Sequence, residues 1–294
     1  MEIRQATARD IPALARFMAK LNHNPAHHVG YCGADWREVR GDIGEFGLPV
    51  DKSFVVLEAQ GQIRGVLGFD PDAERAWIWG PFITVQPWLP AAQALWAAML
   101  PLLPRSITRL DFFYDLANSN ALTLMNCFGA KETSREVILR ATRSSISRSP
   151  VVGSVGDLPL QLEARFIQLH DSLFPGTYYS GQEILCRRNH LRRLLTCTDG
   201  AELNGYIYLE AEPESGGGSL EYIGVKPSAR GRGIGLALLT SGLDWLFSFA
   251  SIDKLRLCVN VENQAAIRLY QRAGFAVDRN LFAFRLFRTG PRTG

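Results

Sequence analysis

The alternation of apolar and polar positions along the chain predicts strands and helices in turn. Apolar residues at every second position, as in Leu255–Val261, are typical of a half-buried β-strand. Apolar residues four, three and four apart, at Leu239, Leu243, Leu246 and Ala250, are typical of a helix that packs on one face. We therefore expect an α/β chain.

The same patterns predict an order of elements in each half. The first half is expected to contain, in order, a strand at 1–6, a helix ending near 22, a hairpin at 53–58 and 62–69, a strand at 75–85, a helix at 86–103, a strand at 108–114, a helix from Asn118 and a strand at 132–140. The second half is expected to contain a helix at 162–174, a hairpin at 191–198 and 202–210, a strand at 220–225, the helix after it, and the strands 255–261 and 281–287. A polar stretch with a proline, 144–150, separates the halves, so we place the domains at 1–145 and 155–294.

The two halves also share short segments in the same order. Asn263–Phe275 matches Asn118–Ala130, 145 positions earlier, at its Asn, Ala, Leu and Gly positions. Two shorter pairs are Val225–Pro227 with Val85–Pro87, and Ala164–Phe166 with Ala15–Phe17. The consistent order predicts two copies of one fold.

The clearest chemical feature is a basic, glycine-rich loop between a strand and a helix. Arg230–Gly235 reads Arg-Gly-Arg-Gly-Ile-Gly and follows the strand that ends at Val225. The first amides of a helix have no intrahelical partner, and glycines let an anion approach the backbone, so the loop predicts a phosphate site. The motif lacks the Lys-Ser/Thr pair of a P-loop and the spacing of the dinucleotide fingerprint. A turn that only caps the helix stays as the alternative.

Two motifs together resemble the GNAT superfamily of N-acetyltransferases. The Val-x-Pro strand end followed by Arg-x-x-Gly-x-Gly resembles the family's acetyl-CoA loop, and Asn263–Phe275 resembles its N-x-x-A-x-x-L-Y-x-x-x-G-F signature. The resemblance covers about residues 155–294. With the repeat, it implies two tandem GNAT-like domains, each a mixed, mostly antiparallel sheet flanked by helices, with acetyl-CoA as co-substrate and no metal.

The resemblance also implies how the cofactor binds. The loop amides would hold the pyrophosphate with the two arginines, and the preceding strand edge would pair with the pantetheine amides. The amide of Val225 would serve as an oxyanion donor in the gap between splayed strands. The predicted cofactor-binding residues are Ile223, Gly224, Val225, Arg230, Gly231, Arg232, Gly233, Ile234, Gly235, Leu236 and Asn263.

Two residues match catalytic positions. Tyr270 resembles the family's general acid, with a buried helix aromatic as the alternative. Glu221 is the best base: by the strand period of two it is expected to share a face with Ile223 and Val225, with a solvated carboxylate as the alternative.

Other residues are expected around the acceptor or invite a metal hypothesis. Tyr178 and Tyr179 are candidate acceptor contacts, or else part of a hydrophobic lid. Four possible metal ligands lie in one segment, at His23, His27, His28 and Cys32. Because Pro25 breaks their helical spacing, we predict no zinc site there.

The first copy lacks the residues that carry this chemistry. The positions of Arg230, Gly233, Gly235 and Tyr270 hold Pro90, Gln93, Leu95 and Met125. We therefore predict that only the second half binds the cofactor. The first half would be a packing domain or would shape the acceptor pocket.

Composition limits the remaining possibilities. The chain has 294 residues, 47% of them hydrophobic, and a formal net charge of +3, which is too small to indicate nucleic-acid binding as a main role. Five scattered cysteines without a C-x-x-C pair predict largely buried thiols in a reducing compartment. With no signal-peptide core and no apolar run long enough for a membrane span, we expect a cytoplasmic protein.

The function expected from these features is acetyl-CoA-dependent N-acetyltransfer directly to an amine of a small molecule or a protein. A tandem-domain synthase that acylates a larger metabolite is a second enzymatic hypothesis. A CoA-binding sensor or interaction protein without turnover is the alternative of a different class. The sequence leaves the acceptor and the oligomeric state open.

Overall fold

The computed structural model describes residues 1–146 and 154–288. These residues form two compact units. The first unit contains residues 1–136 and 279–288, and the second contains residues 137–146 and 154–278. Most of the predicted boundary stretch lies outside the described residues. The domain limits of the repeat hypothesis therefore stay a prediction.

The helices and strands follow the predicted alternation. In chain order they are β1 Glu2–Gln5, α1 Ile11–Asn22, α2 Trp36–Glu45, α3 Val50–Ser53, β2 Phe54–Ala59, β3 Gln62–Asp72, β4 Arg75–Ile83, α4 Trp88–Met99, β5 Arg109–Asp115, α5 Ser119–Phe128, β6 Lys131–Thr142, β7 Ser154–Asp157, α6 Glu163–Leu173, α7 Gly181–Arg187, β8 Arg192–Asp199, β9 Glu202–Glu212, β10 Gly217–Val225, α8 Ile234–Leu246, β11 Lys254–Asn260, α9 Gln264–Arg272 and β12 Ala276–Phe287. In the described ranges, no helix is long and apolar enough to cross a bilayer.

The first unit is built on a sheet in the order β1–β2–β3–β4–β5–β12. Neighbouring strands are antiparallel apart from β4 and β5, which are parallel. Large apolar side chains from the sheet and α1 fill its core, each at most 1% exposed: Leu14, Met18, Phe54, Phe69, Phe82 and Phe112.

The last strand lies in the first unit, although we predicted it as the end of the second half. Residues Leu281–Phe287 of β12 pair with Asp115–Arg109 of β5 in antiparallel register. Arg285 on β12 donates to the Asp111 carboxylate on β5 at 2.7 Å, and Phe284 is buried. The pairing satisfies the edge of β5, and the period of a strand carries no information about which edge it joins.

The second unit contains a separate sheet in the order β10–β9–β8–β7, antiparallel throughout. Alternate residues of β9 serve two cores. Ile207 packs in a core with α8, whereas Tyr206 and Tyr208 pack in a core with α6 and α7. This sheet therefore has a helix-covered face on each side, and β10 is its edge strand.

The sequence analysis missed four short elements, α2, α3, β7 and α7. The start of α7 carried a readable signal, because Ser180 and Glu183 form a reciprocal capping box in the structure. Asp35 likewise caps α2 by accepting from the amide of Arg37 at 2.7 Å. Both caps precede helices too short or too polar for their periodicity to be noticed.

The cysteines differ from their predicted burial. Cys32 and Cys197 are buried, but Cys127, Cys186 and Cys258 are exposed. Residue type alone favoured burial, and the positions of these three on the outer faces of α5, α7 and β11 overrule it.

The predicted repeat is visible in the turns that lead into α5 and α9. Asn118 and Asn263 each cap their helix, accepting from the amide three residues on at 3.1 Å. Each helix ends with the same bond, from Ala130 to Met125 and from Phe275 to Tyr270, at 3.0 Å in both cases. Segments 145 positions apart therefore adopt one conformation, in which Asn263 is the N-cap of α9.

Candidate functional site

The edge strand β10 offers a free row of backbone groups. One edge pairs with β9, from Gly217↔Glu212 to Val225↔Gly205, and among the described residues the other edge pairs with no strand. Near its start β10 is close to β11, since a Cβ on Gly218 would lie 3.3 Å from Leu255. The residues toward its end, Ile223 to Val225, therefore border an unpaired edge.

A β-bulge interrupts β10 at Glu221. Leu220 lies opposite Leu209 and Tyr222 lies opposite Tyr208, so Glu221 is the extra residue. A bulge bends the strand and breaks its alternation of faces. A corresponding bulge lies in β4 at Gly80 and Pro81, 140 positions earlier, so this irregularity belongs to both copies of the fold.

The glycine loop presents a row of amides at the start of α8. Gly231 and Gly233 have φ values of +77° and +82°, a region that favours glycine. The first bond of the helix runs from Ala237 to the carbonyl of Gly233 at 3.1 Å. Within the described ranges, the amides of residues 231–236 donate to no backbone carbonyl, so they are available to an anion.

Two positively charged arginine side chains flank these amides. Arg230 and Arg232 are exposed, and neither has a carboxylate within ion-pair distance among residues 1–146 and 154–288. The Nε of Arg230 donates to the carbonyl of Val225 at 3.3 Å, which places this side chain where β10 ends. The loop therefore combines amide donors with positive charge, the chemistry that a diphosphate requires.

Helix α9 brings Tyr270 to the same part of the second unit. A Cβ on Gly235 would lie 3.5 Å from Leu269, an ordinary contact distance, so α8 and α9 are neighbours at this point. Tyr270 is 8% exposed and belongs to the same core as Ile223 and Val225. Burial raises the pKa of its phenol, and its hydroxyl makes no hydrogen bond with any described residue. It is a protonated donor without an internal partner.

Glu221 does not share the face of Ile223 and Val225, so that prediction is wrong. Its carboxylate accepts a hydrogen bond from the hydroxyl of Tyr178. The Tyr178 ring packs on Tyr222, with centroids 5.3 Å apart, and Tyr222 belongs to the core on the opposite side of the sheet. The bulge is the physical reason, because an extra residue ends the strict alternation that the prediction assumed.

Tyr178 and Tyr179 lie in the loop 174–180, between α6 and α7. Tyr178 is 63% exposed, and burial of its hydroxyl together with the Glu221 carboxylate raises its pKa. Tyr179 lies under the guanidinium of Arg187, 4.1 Å from the ring centroid. Sequence reasoning found these two tyrosines but missed Tyr206 and Tyr222, whose hydroxyls help to hold the loop, because strand tyrosines look like ordinary core residues.

The first unit lacks both the loop and the open edge. Pro90, Gln93 and Leu95 lie inside α4, so their backbone is helical where the second unit has glycines. Strands β4 and β5 pair only at their start, but the hydroxyl of the fully buried Tyr114 donates to the carbonyl of Gly80 at 2.7 Å and closes the space beyond. The corresponding residue in the second unit, 145 positions later, is Val259.

An edge strand, a bulge, an amide-lined loop at a helix start and a tyrosine on the following helix together make up the candidate site. Its amide donors and positive charge suit an anionic ligand. Residues 163–275 match the model of the Acetyltransferase (GNAT) family.

A curated relative and two solved structures are similar to this chain. A mycothiol acetyltransferase from Salinispora arenicola is 35% identical over 86 residues, 28% of this chain and 28% of that protein. The match thus covers less than a third of the relative's length. A GCN5-related N-acetyltransferase from Sphaerobacter thermophilus has a TM-score of 0.70 at 20% identity, over 98% of this chain and 96% of the other. A tandem GNAT protein from the clavulanic acid biosynthesis pathway has a TM-score of 0.60 at 14% identity, over 98% and 99%.

These likenesses confirm the predicted fold class. The structures align with nearly the whole chain, and one of them is itself a tandem GNAT protein. At these identities the structural likeness speaks to fold alone.

Proposed function

We propose that this protein is an N-acetyltransferase whose second unit binds acetyl-CoA and transfers the acetyl group directly to an amine. One observation carries the proposal: the amides of residues 231–236 have no backbone acceptor, and two unpaired arginines flank them at the end of a free strand edge. Any helix leaves its first four amides unpaired, here those of residues 233–236, so the amides of Gly231 and Arg232 and the two arginine side chains go beyond what a helix start requires. The capping-turn alternative therefore explains less of the site.

The cofactor-binding residues would act in two groups. The loop amides with Arg230 and Arg232 would hold the diphosphate. The backbone of Ile223 and Val225 would pair with the amides of the pantetheine arm, as an added strand pairs with a sheet edge. Asn263 uses its Oδ1 to cap α9, at 3.1 Å from the amide of Ala266, so its Nδ2 group is the part that would contact the cofactor. Bound acetyl-CoA would supply a thioester-activated acetyl group.

Tyr270 would assist departure of the thiol. A phenol has an ordinary pKa near 10, and burial raises that of Tyr270 further, so it stays protonated at neutral pH. It is a weak acid beside a thiol of pKa about 8.5, so its role is to donate a hydrogen bond to the developing thiolate. The amide of Val225 would stabilise the oxyanion.

Glu221 would accept the proton that the acceptor amine loses. Its carboxylate has one hydrogen bond, from the hydroxyl of Tyr178, and no described cation lies within ion-pair distance of it. An ammonium group would find there both a negative charge and the faces of aromatic rings. Tyr178 and Tyr179 would then contact the acceptor.

The acceptor we propose is the amine of a small molecule. Curated relatives of this chain are named mycothiol acetyltransferases, and that name denotes a small-molecule substrate for those proteins. A tandem synthase of a larger metabolite is a special case of the same chemistry. The cytoplasmic location is likewise a proposal, carried by the sequence.

Thiol release tests the proposal. The full chain is incubated with acetyl-CoA and a panel of small amines and amine-bearing peptides, and free thiol is measured against a no-acceptor control. Amine-dependent release together with CoA-induced thermal stabilisation is the expected result. Stabilisation without release for any amine would favour the CoA-binding sensor. No stabilisation at millimolar CoA would overturn the cofactor assignment.

A further inference from the structure

A buried histidine in the second unit joins the sheet to the loop that carries Tyr178. His170, on α6, is 0% exposed. Its Nε2 lies 2.8 Å from the carbonyl of Tyr179, and its Nδ1 lies 2.6 Å from the hydroxyl of Tyr206. A carbonyl can only accept, so Nε2 donates to the carbonyl of Tyr179, while Nδ1 pairs with the Tyr206 hydroxyl. Both ring nitrogens are therefore used.

The loop is also held from the neighbouring strand. The hydroxyl of Tyr222 accepts from the amide of Tyr179 at 3.3 Å and lies 2.8 Å from the Thr177 hydroxyl. The His170 ring meets the Tyr222 ring edge-on, with centroids 4.8 Å apart. Tyr222 directly follows Glu221, so one network fixes both the loop and the strand residue beside the proposed base.

The first unit shows that the fold does not require this network. By the offset of 140 that relates the two hairpins, the position of Tyr206 holds Val66, which is apolar and has no hydroxyl. The first unit holds its own α1–α2 segment by another device, Asn22, whose amide donates to the Cys32 carbonyl. A packing role alone at the position of Tyr206 would be met by such an apolar residue, as it is in the copy without the cofactor loop.

We infer that His170 is a positioning residue for the acceptor side of the site: through Tyr179 it fixes the loop so that the Tyr178 hydroxyl meets the Glu221 carboxylate. This inference rests on the proposed function for its catalytic consequence. It requires no contact between His170 and the substrate. Loss of the two bonds frees the loop, and the Tyr178–Glu221 pair is then formed for less of the time.

The test compares His170→Phe with a matched core variant, Phe166→Leu. Both residues are fully buried on α6 and contact Tyr206, but only His170 bonds the loop. We expect His170→Phe to lower kcat/KM for the best amine of the panel about 10- to 100-fold, with the KM for acetyl-CoA within twofold of the parent chain. His170→Gln, which keeps a donor and an acceptor, should recover part of the loss. Equal effects of His170→Phe and Phe166→Leu on kcat/KM would reduce His170 to a core residue.

Hydrogen exchange keeps the inference testable if no amine in the panel reacts. Amide exchange in residues 177–180 should rise about tenfold or more in His170→Phe, while β9 exchanges as in Phe166→Leu. The same loop protection in both variants would overturn the inference. CoA-induced stabilisation, measured in parallel, reports on the cofactor site alone, so failure of the proposed function is recognised separately.

Discussion

The two copies of the fold agree in their scaffold and differ in one strand–loop–helix segment. The turns at Asn118 and Asn263 share their capping bonds to within 0.1 Å. The bulge recurs at Gly80–Pro81 and at Glu221. Yet residues 88–99 are helix, where the second copy has a short turn and the loop 230–233 before its helix begins. Binding chemistry is thus carried by a few backbone conformations on a scaffold that persists without it.

The tyrosines make the same comparison at a single side chain. The first unit has Tyr114 and Met125 where the second has Val259 and Tyr270. The hydroxyl of Tyr114 donates to the Gly80 carbonyl, and its side chain closes the space between β4 and β5. Tyr270 keeps its hydroxyl free of described partners. In the first copy a tyrosine fills the space between two strands, whereas in the second copy a tyrosine hydroxyl is left available to a ligand.

The largest expected effect is on CoA binding when the loop amides meet a negative charge. Gly231→Asp should weaken binding about 100-fold, because it puts a carboxylate beside the diphosphate. Gly129→Asp is the matched control, since both glycines are exposed, have positive φ and have open space at the Cβ. Thermal shift with CoA measures the difference. Equal loss of the CoA-induced shift in both variants would break the comparison, and Gln93→Asp in the first copy should change nothing.

A smaller effect is expected on turnover when Tyr270 loses its hydroxyl. Tyr270→Phe should lower kcat about 10- to 100-fold while leaving the KM for acetyl-CoA nearly unchanged, because only the departing thiolate loses a donor. Steady-state thiol release checks this. An unchanged kcat would return Tyr270 to the buried-aromatic interpretation.

The space beside the free edge of β10 can be filled by giving Val259 the side chain of its counterpart in the first copy, Tyr114. Val259→Tyr should weaken CoA binding about tenfold, since a buried ring would occupy the space beside the free edge of β10. Val277→Tyr, at a position 49% exposed, adds the same ring on the surface and should not. Calorimetric titration of both variants gives the ratio. If the two bind CoA alike, Tyr114 does not explain the closed gap in the first unit.

The smallest effect concerns acid stability of the first unit. Arg4 holds the pKa of Asp10 at about 2, below its ordinary 3.8. A depressed carboxyl pKa adds stability that is complete above pH 3.8 and is lost as pH falls through 2. Solvent screening of this partly exposed pair leaves about 1 kcal/mol. Asp10→Asn should remove that amount at pH 7 but not at pH 2, as measured by urea unfolding. An equal loss at both pH values would point to the Thr7 hydrogen bond instead.

Periodicity and motif spacing predicted the parts of this molecule that depend on neighbouring residues. The alternation in 255–261 gave β11, and the glycines before Ile234 gave a loop with two residues at positive φ. Strand pairing between distant segments could not be predicted, because the pattern of a strand does not say which sheet edge it joins. For this reason β12 was assigned to the wrong unit. The bulge at Glu221 cannot be read from the sequence either. It places the Glu221 side chain on the opposite face of the sheet from the one that we predicted. The role of His170 could not be predicted from the sequence, because its partners lie on β9 and in the loop 174–180.

The most direct test of the account is the stoichiometry of CoA binding to the intact chain. Isothermal titration should give one CoA per chain for the parent protein and no detectable binding for Gly231→Asp at the same concentrations, with Gly129→Asp still binding one. Two CoA molecules per chain, or one that survives Gly231→Asp, would contradict the claim that the second unit alone holds the cofactor.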